Sequence, residues 1–363
     1  MWHFVLLIVC AGAIYLACEW FVNAVEWLGR RLNVGQMAVG TILAAFGTAL
    51  PESVVTLVAV TTGTTPEQKD IGVGAAMGGP LALATVAYAA TGVALLLKRH
   101  KDHRAQMAVP LQVGAGAGEN AGPVEEPARA GVAHVLADPA QIARLAKDQR
   151  WFLAVFVVKV ALGLVAFAFK PTLGLMFFAA YAVYLWREMR GGDDGAQPEQ
   201  EELEPLKLQP KAASPATWAV VTQTAATLAV IFVASRVFVS QLDAIGPMLG
   251  LSAAVTALLL SPIATELPET MNAIIWVRQG KTKLALANIS GAMMIQATVP
   301  SGLGLLFTSW KFDTALIWSG AMTMVAIIYL LATMHAGKLS PARLTWVGAL
   351  YGVFAIGLIP ILS

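Results

Sequence analysis

The sequence predicts an all-α polytopic membrane protein of ten transmembrane helices, arranged as two inverted five-helix repeats. Three observations predict this. The 363-residue chain is 57% hydrophobic and only 13% charged, with mean hydropathy +0.68, whereas an ordinary soluble domain is about a quarter charged. Its apolar residues fall into ten runs, each near the roughly twenty residues that cross a bilayer, five on either side of an acidic stretch. A short phrase is also written once in each half: Thr48-Ala49-Leu50-Pro51-Glu52 and Thr265-Glu266-Leu267-Pro268-Glu269.

The first five runs are Phe4–Val22, Met37–Thr61, Ile71–Leu97, Trp151–Phe169 and Pro171–Trp186. The N-terminal run has no Lys or Arg before it and no small-residue cleavage pattern, so it is expected to be a retained helix rather than a signal peptide. Cys10 and Cys18 lie about two helical turns apart within it, which suggests packing rather than a disulfide framework. The second five runs are Trp218–Val239, Met248–Val277, Leu284–Phe307, Thr314–Met334 and Thr345–Leu362. Residues 98–150, rich in Ala, Gly and Pro, and residues 187–216, with Asp193, Asp194, Glu199, Glu201, Glu202 and Glu204, carry no hydrophobic period able to build a core. They are expected to be a cytoplasmic loop and an acidic cytoplasmic linker. The first repeat then comprises residues 1–97 (helices 1–3, with the first motif) and 151–186 (helices 4 and 5), and the second comprises residues 217–363 (helices 6–10, with the second motif).

Basic residues accumulate on the cytoplasmic side of a membrane. With the N-terminus outside, Arg30 and Arg31, the Lys98-Arg99-His100-Lys101 cluster, Arg187 and Arg190, Arg278, Lys281 and Lys283, and Lys338 with Arg343 all fall inside. Only Lys69, Lys170, Arg236 and Lys311 fall near outer loops, and Lys159 falls within a span. Both termini are therefore expected outside, in what is expected to be a prokaryotic plasma (inner) membrane. Five spans per half make the second half enter the membrane in the opposite sense to the first. A motif at corresponding positions of two such halves is the mark of a transporter with its site at the midplane, worked by alternating access.

The motif itself points to a cation. A carboxylate inside an apolar run costs several kcal/mol and marks a functional site. Pro51 has no amide hydrogen, so the Gly47 carbonyl loses its helical partner and must be satisfied by protein, water or an ion. Thr48 and Glu52 are four residues apart and share that face, which thereby offers carbonyl, hydroxyl and carboxylate oxygens suited to a hard cation. In the second copy Pro268 frees the Ala264 carbonyl, and Thr265 precedes Glu269 by four residues. Glu266 and Asn272, three residues before and after Glu269, join the same face, as does Ser261 about two turns earlier.

These residues resemble the cation/calcium exchanger superfamily, whose two inverted repeats each carry a Gly-Thr-Ser-x-Pro-Glu phrase followed by a Gly-Asn-x-x-Gly-Ser-Asn phrase on the next helix. The resemblance extends to Gly29-Arg30-Arg31-Leu32 at the end of the first helix and to the run from Gln36 to Gly47. It implies that Glu52 and Glu269 are the central cation-binding glutamates and Thr48 and Thr265 the motif threonines. The chain departs from the family at Ala49 and Glu266, both at the usual serine. On the following helices, Gly74-Ala75-Ala76-Met77-Gly78-Gly79-Pro80 and Ala287-Asn288-Ile289-Ser290-Gly291-Ala292-Met293 align with the second phrase. There the Ser-Asn pair has become Gly79-Pro80 and Ala292-Met293. Fewer neutral oxygens and an additional carboxylate favour a divalent ion or a carboxylate that carries a proton, with Asn288, Ser290 and Gln296 able to supply part of what is missing.

Other charges have bland explanations beside sharper ones. Glu19 and Arg236 occupy equivalent positions in the two halves and could pair, although snorkelling at the membrane edge is favoured. Lys159 is a candidate counter-charge to a site glutamate when the ion is absent, although a packing or lipid-edge role is favoured. The Asp193–Glu204 cluster lacks EF-hand spacing and reads as solvated linker.

The expectation is a secondary active cation antiporter exchanging Ca2+ for Na+ or H+. Its metal ligands are Glu52, Glu269 and Glu266, supported by Thr48, Thr265, Asn272 and Asn288 and the carbonyls of Gly47 and Ala264. It is expected to need no cofactor. Its partners are the lipid bilayer and inorganic cations, with no nucleic acid and no enzymatic turnover. The rivals are a monovalent cation/proton antiporter on the same fold and a non-transporting membrane scaffold or sensor.

Overall fold

The computed structural model describes residues 2–32, 39–62, 66–108, 138–165, 169–190, 203–248, 259 and 261–362. Among these there is no strand, and six helices are long and apolar enough to cross a membrane. Helix α1 (Trp2–Leu32) is followed by a π-helical segment, Val39–Ala44, which leads into α2 (Ala45–Thr62). Next come α3 (Pro66–Ala82), a second π-helical segment, Leu83–Ala87, and α4 (Tyr88–Ala108). Then follow α5 (Pro139–Leu164), α6 (Lys170–Arg190), α7 (Thr217–Met248), the short α8 (Ser261–Thr265) and α9 (Leu267–Arg278). The chain ends with α10 (Thr282–Phe307), α11 (Thr314–His335), α12 (Pro341–Val347) and α13 (Ala349–Leu362).

Several elements reach beyond the apolar runs that predicted them. Helix α1 continues ten residues past Val22, and α4 runs to Ala108. Helix α5 begins at Pro139, in the N1 position, with the Asp138 side chain accepting the Ala140 N–H at 3.0 Å. This is the start signal of proline after an Asx cap. The middle of the predicted cytoplasmic loop, residues 109–137, lies outside the described residues.

Helix α10 is the centre of the bundle. It is buried along nearly its whole length and packs against α2, α3, α5 and α6. Close approach is possible because small residues face one another. A Cβ built on Gly291 would lie 2.3 Å from the Thr41 carbonyl oxygen, and one on Gly40 would lie 2.8 Å from Ala287 Cβ. Small residues at such crossings are how membrane helices gain packing where no hydrophobic effect drives them together. Helices α1 and α7 form the other extensive pair, while Ile8, Leu16, Trp218, Val233, Ile356 and Ile359 face outward, as residues against lipid should.

Several basic side chains near helix ends take protein partners. Lys281 is ion-paired with Glu26, which also accepts from Trp276 Nε1 at 2.8 Å. Lys98 Nζ donates to the Val277 carbonyl at 3.1 Å, a cation at the C-terminus of α9 where the helix dipole favours one. At the other end Lys170 Nζ donates to the Trp310 carbonyl at 2.8 Å, and His3 meets Gln241 at 2.8 Å.

The acidic linker needs correction in part. Helix α6 runs to Arg190, and residues 191–202, which include most of the acidic cluster, lie outside the described residues. The end of the linker is ordered against the bundle rather than solvated throughout. Leu206 is fully buried with Ala24, Trp27, Ala219 and Val220, Trp27 Nε1 donates to the Glu204 carbonyl at 2.9 Å, and Lys207 N–H donates to Asn23 Oδ1 at 3.1 Å. One buried leucine and these backbone bonds carry no periodicity that sequence could reveal. Glu19 likewise pairs with Lys207 at 3.3 Å and not with Arg236, whose guanidinium lies over the Phe232 ring.

Candidate cation-binding site

The two copies of the motif fold differently. The second is a broken helix: α8 ends at Thr265, Glu266 adopts φ −87° and ψ 9°, and α9 restarts at Leu267 with Pro268 in its first turn. Pro268 cannot donate to Ala264 and fits only a helix start, so the chain breaks where its hydrogen bond is missing. The first copy lies within the continuous α2, preceded directly by the π-helical Val39–Ala44. π-Helical turns are frequent at functional sites. This one is tied to the neighbouring helices, because Glu188 Oε2 accepts from Thr41 Oγ1 at 3.3 Å and from Arg144 Nη2 at 2.7 Å.

Around the second break the side chains are buried and rich in oxygen. Glu269 and Asn272 are 0% exposed and Glu266 2%. Neither carboxylate oxygen of Glu269 has a hydrogen-bond partner among the described residues, and the same holds for both polar atoms of Asn272, Asn288 Oδ1 and Gln296 Oε1. Buried polar groups are ordinarily satisfied, so this set of unpartnered polar atoms is the reason to take the break as the candidate site. Asn288 Nδ2 donates to the Glu269 backbone carbonyl at 3.1 Å, joining α10 to the break. The Thr48 hydroxyl lies beside the Glu269 carboxyl but sends its proton to the Ala44 carbonyl at 3.0 Å, which leaves its lone pairs available. Thr265 Oγ1 similarly donates to the Pro262 carbonyl at 3.2 Å, and Ala264 is buried.

Gly79 has a specific reason to be glycine. A Cβ there would lie 2.0 Å from Gln296 Oε1 and 2.7 Å from Glu266 Oε1. Gln296 Nε2 donates to Glu266 Oε1, so this amide–carboxylate pair fills the space that a serine side chain at position 79 would need. Oxygens of Glu266 and Gln296, on the second-half helices, thus stand where a side chain on α3 would be.

Not every candidate gathers here. The Glu52 side chain lies outside the described residues, as does that of Ser261, and among the described residues no three acidic, His or Cys side chains converge. Gly47 packs against Phe21 and Leu228. Ser290 accepts from Gln149 Nε2 at 3.1 Å, in a separate polar contact that also includes Tyr88. Lys159 is packed inside the bundle: its Nζ donates to the Ala76 carbonyl at 2.6 Å, with no glutamate within ion-pair distance among the described residues. Thr56 was missed. It is buried with an unpartnered hydroxyl among the described residues, and the available signal was its spacing, four residues after Glu52 as Thr48 is four before. Cys18, expected to be a packing residue, is buried against the break, with its Sγ 3.7 Å from the Pro268 carbonyl.

Long apolar helices that enclose carboxylate and amide oxygens at a helix break define a membrane protein for moving cations. The chain belongs to the sodium/calcium exchanger protein family, which matches residues 2–117 and 220–359, one segment in each half. Members of this family are transporters rather than enzymes, and the chain is a cation antiporter. It is 24% identical over 349 residues to the inner membrane protein YrbG of Escherichia coli, covering 95% of this chain and 92% of that protein. It is 23% identical over 322 residues to CaxA of Alkalimonas amylolytica, named as a candidate antiporter, covering 88% and 86%. Its fold matches that of the sodium-calcium exchanger NCX_Mj soaked with 100 mM Na+ and 10 mM Sr2+, with a TM-score of 0.67 at 17% identity over 98% of this chain and 96% of that one.

Proposed function

We propose that this chain exchanges Ca2+ for Na+ or H+ by alternating access between two inverted five-helix repeats, in a bacterial inner membrane with both termini outside. The observation that carries the reading is the set of buried oxygens without hydrogen-bond partners among the described residues, on Glu269, Asn272, Asn288 and Gln296 around the second helix break. Ca2+ takes six to eight oxygen ligands from carboxylates, carbonyls and amides, and a carboxylate-rich site of this composition suits it better than a monovalent ion. Glu52, Glu269 and Glu266 are the metal ligands of the proposal, supported by Thr48, Thr265, Asn272, Asn288 and the carbonyls of Gly47 and Ala264. The packing of α1 on α7, the leading helices of the two halves, favours the repeat arrangement. The names of YrbG as an inner membrane protein and CaxA as a candidate antiporter favour the location and the reaction.

The test is radioactive Ca2+ uptake into proteoliposomes loaded in turn with Na+, with acidic buffer, or with neither. Counter-ion-dependent uptake is expected. Flux of a monovalent cation against protons that Ca2+ does not inhibit would give the site to a monovalent antiporter instead. No flux of any cation by folded protein would leave a scaffold.

A further inference from the structure

The amide of residue 80 is the hydrogen-bond donor that the Ala76 carbonyl would use in an α-helix, and Pro80 has none. A carbonyl freed inside a membrane must find another partner. It finds Lys159 Nζ, which reaches from α5 to within 2.6 Å. Lys159 is 0% exposed, its Nζ sits 4.8 Å from the centre of the Phe156 ring, and no carboxylate lies within ion-pair distance among the described residues. A carbonyl and an aromatic face are what a desolvated cation uses when no anion is adjacent. The same turn of α3 meets the site on its next step. Gly79, about 4.5 Å further along the axis, is the glycine against which Glu266 and Gln296 pack. A cationic group and a site carboxylate therefore address one turn, Ala76–Pro80, from α5 and from the second helix break.

We propose that Lys159 is a built-in cation of the transport site, standing at the Ala76 carbonyl where a monovalent ion would otherwise be held, and that it sets the exchange at one divalent ion for two monovalent ions. This rests on the functional reading above. With Glu52, Glu266 and Glu269 ionised and the Lys159 ammonium fixed, two negative charges remain for mobile ions, and one Ca2+ or two monovalent cations neutralise them. A site inside a membrane that stays near neutral in both loaded states crosses at least cost, so the cycle moves no net charge. Without the ammonium three charges remain, to be balanced by three monovalent cations or by Ca2+ with one monovalent cation. Exchange then moves Ca2+ against two or three monovalent ions and responds to membrane potential whenever three are carried.

The experiment is counter-ion-driven Ca2+ flux in proteoliposomes with the potential clamped by a K+ gradient and valinomycin, for wild type, Lys159→Met and Lys159→Arg. Wild-type flux is expected to be independent of potential. Lys159→Met should show an apparent Hill coefficient for the monovalent ion of about three in place of about two, with potential dependence added whenever Ca2+ crosses without a monovalent companion, and Lys159→Arg should keep the wild-type coefficient at whatever rate it turns over. Wild-type flux that follows the potential, or a Lys159→Met coefficient that stays at about two, overturns the proposal while leaving Ca2+ exchange standing. Absence of any counter-ion-dependent flux in the wild type overturns both. Should Lys159→Met fail to reach the membrane, Lys159→Gln, which also removes the charge but can still donate to the Ala76 carbonyl, carries the same test.

Discussion

Asn288 on α10 donates through Nδ2 to the backbone carbonyl of Glu269, 3.1 Å away, and leaves its Oδ1 without a partner among the described residues. The amide thus has two tasks. One end fixes the restart of the broken helix against the central helix, and the other adds an oxygen to the buried set. Asn288→Ala should weaken the apparent affinity for the transported cation by about 10-fold, the lower end of what loss of a supporting ligand contact costs, with protein still in the membrane. An unchanged half-saturation concentration would remove Asn288 from the site.

Glu52→Gln and Glu269→Gln should each abolish transport while expression persists, because an amide keeps the shape and loses the charge that a cation requires. Substrate-dependent flux in either variant, measured against empty liposomes, tests the two assignments separately. Glu52 is the more informative, since only its position in the motif speaks for it.

Gly79→Ala should impair transport by driving the Gln296–Glu266 pair out of place, because the new methyl group would stand 2.0 Å from Gln296 Oε1. Overpacking of this kind costs about 1–3 kcal/mol. Gln296→Ala makes room, so the double variant should melt closer to wild type than Gly79→Ala alone. Equal melting temperatures for the two would show that the helices simply shift apart.

Lys281→Ala should destabilise the protein by about 3 kcal/mol, since removing one partner of a buried pair strands the other charge, and Glu26 would keep only the Trp276 N–H at 2.8 Å. Glu26→Gln is expected to cost less, because the amide oxygen can still accept from Trp276. Thermal unfolding in detergent ranks the two, and the opposite order would contradict the pairing.

Protons compete with metal ions for ionised carboxylates, because protonation removes the negative charge. With equal pH on both sides of the membrane, Ca2+ flux should fall as pH drops, and Glu266→Ser should make the fall shallower by removing one of the competing groups. The same pH profile in both proteins would place Glu266 away from the ion.

The sequence by itself determined the membrane class, the runs that became helices and the duplicated proline–glutamate phrase, because these depend on local properties: apolar length, a missing amide hydrogen, and spacing along one helix face. Its resemblance to the exchanger family also implied that a Ser-Asn pair was missing beside both motifs. Only the tertiary structure decided what stands in its place, since Gln296 meets Glu266 across thirty residues of chain and Lys159 meets Ala76 across eighty-three. The difference between the two motif copies was decided there too. Both carry the same proline, yet α2 remains continuous while the chain breaks at Glu266. A proline removes one helical hydrogen bond, which permits a break without requiring one, so the outcome rests on packing that the local sequence does not carry.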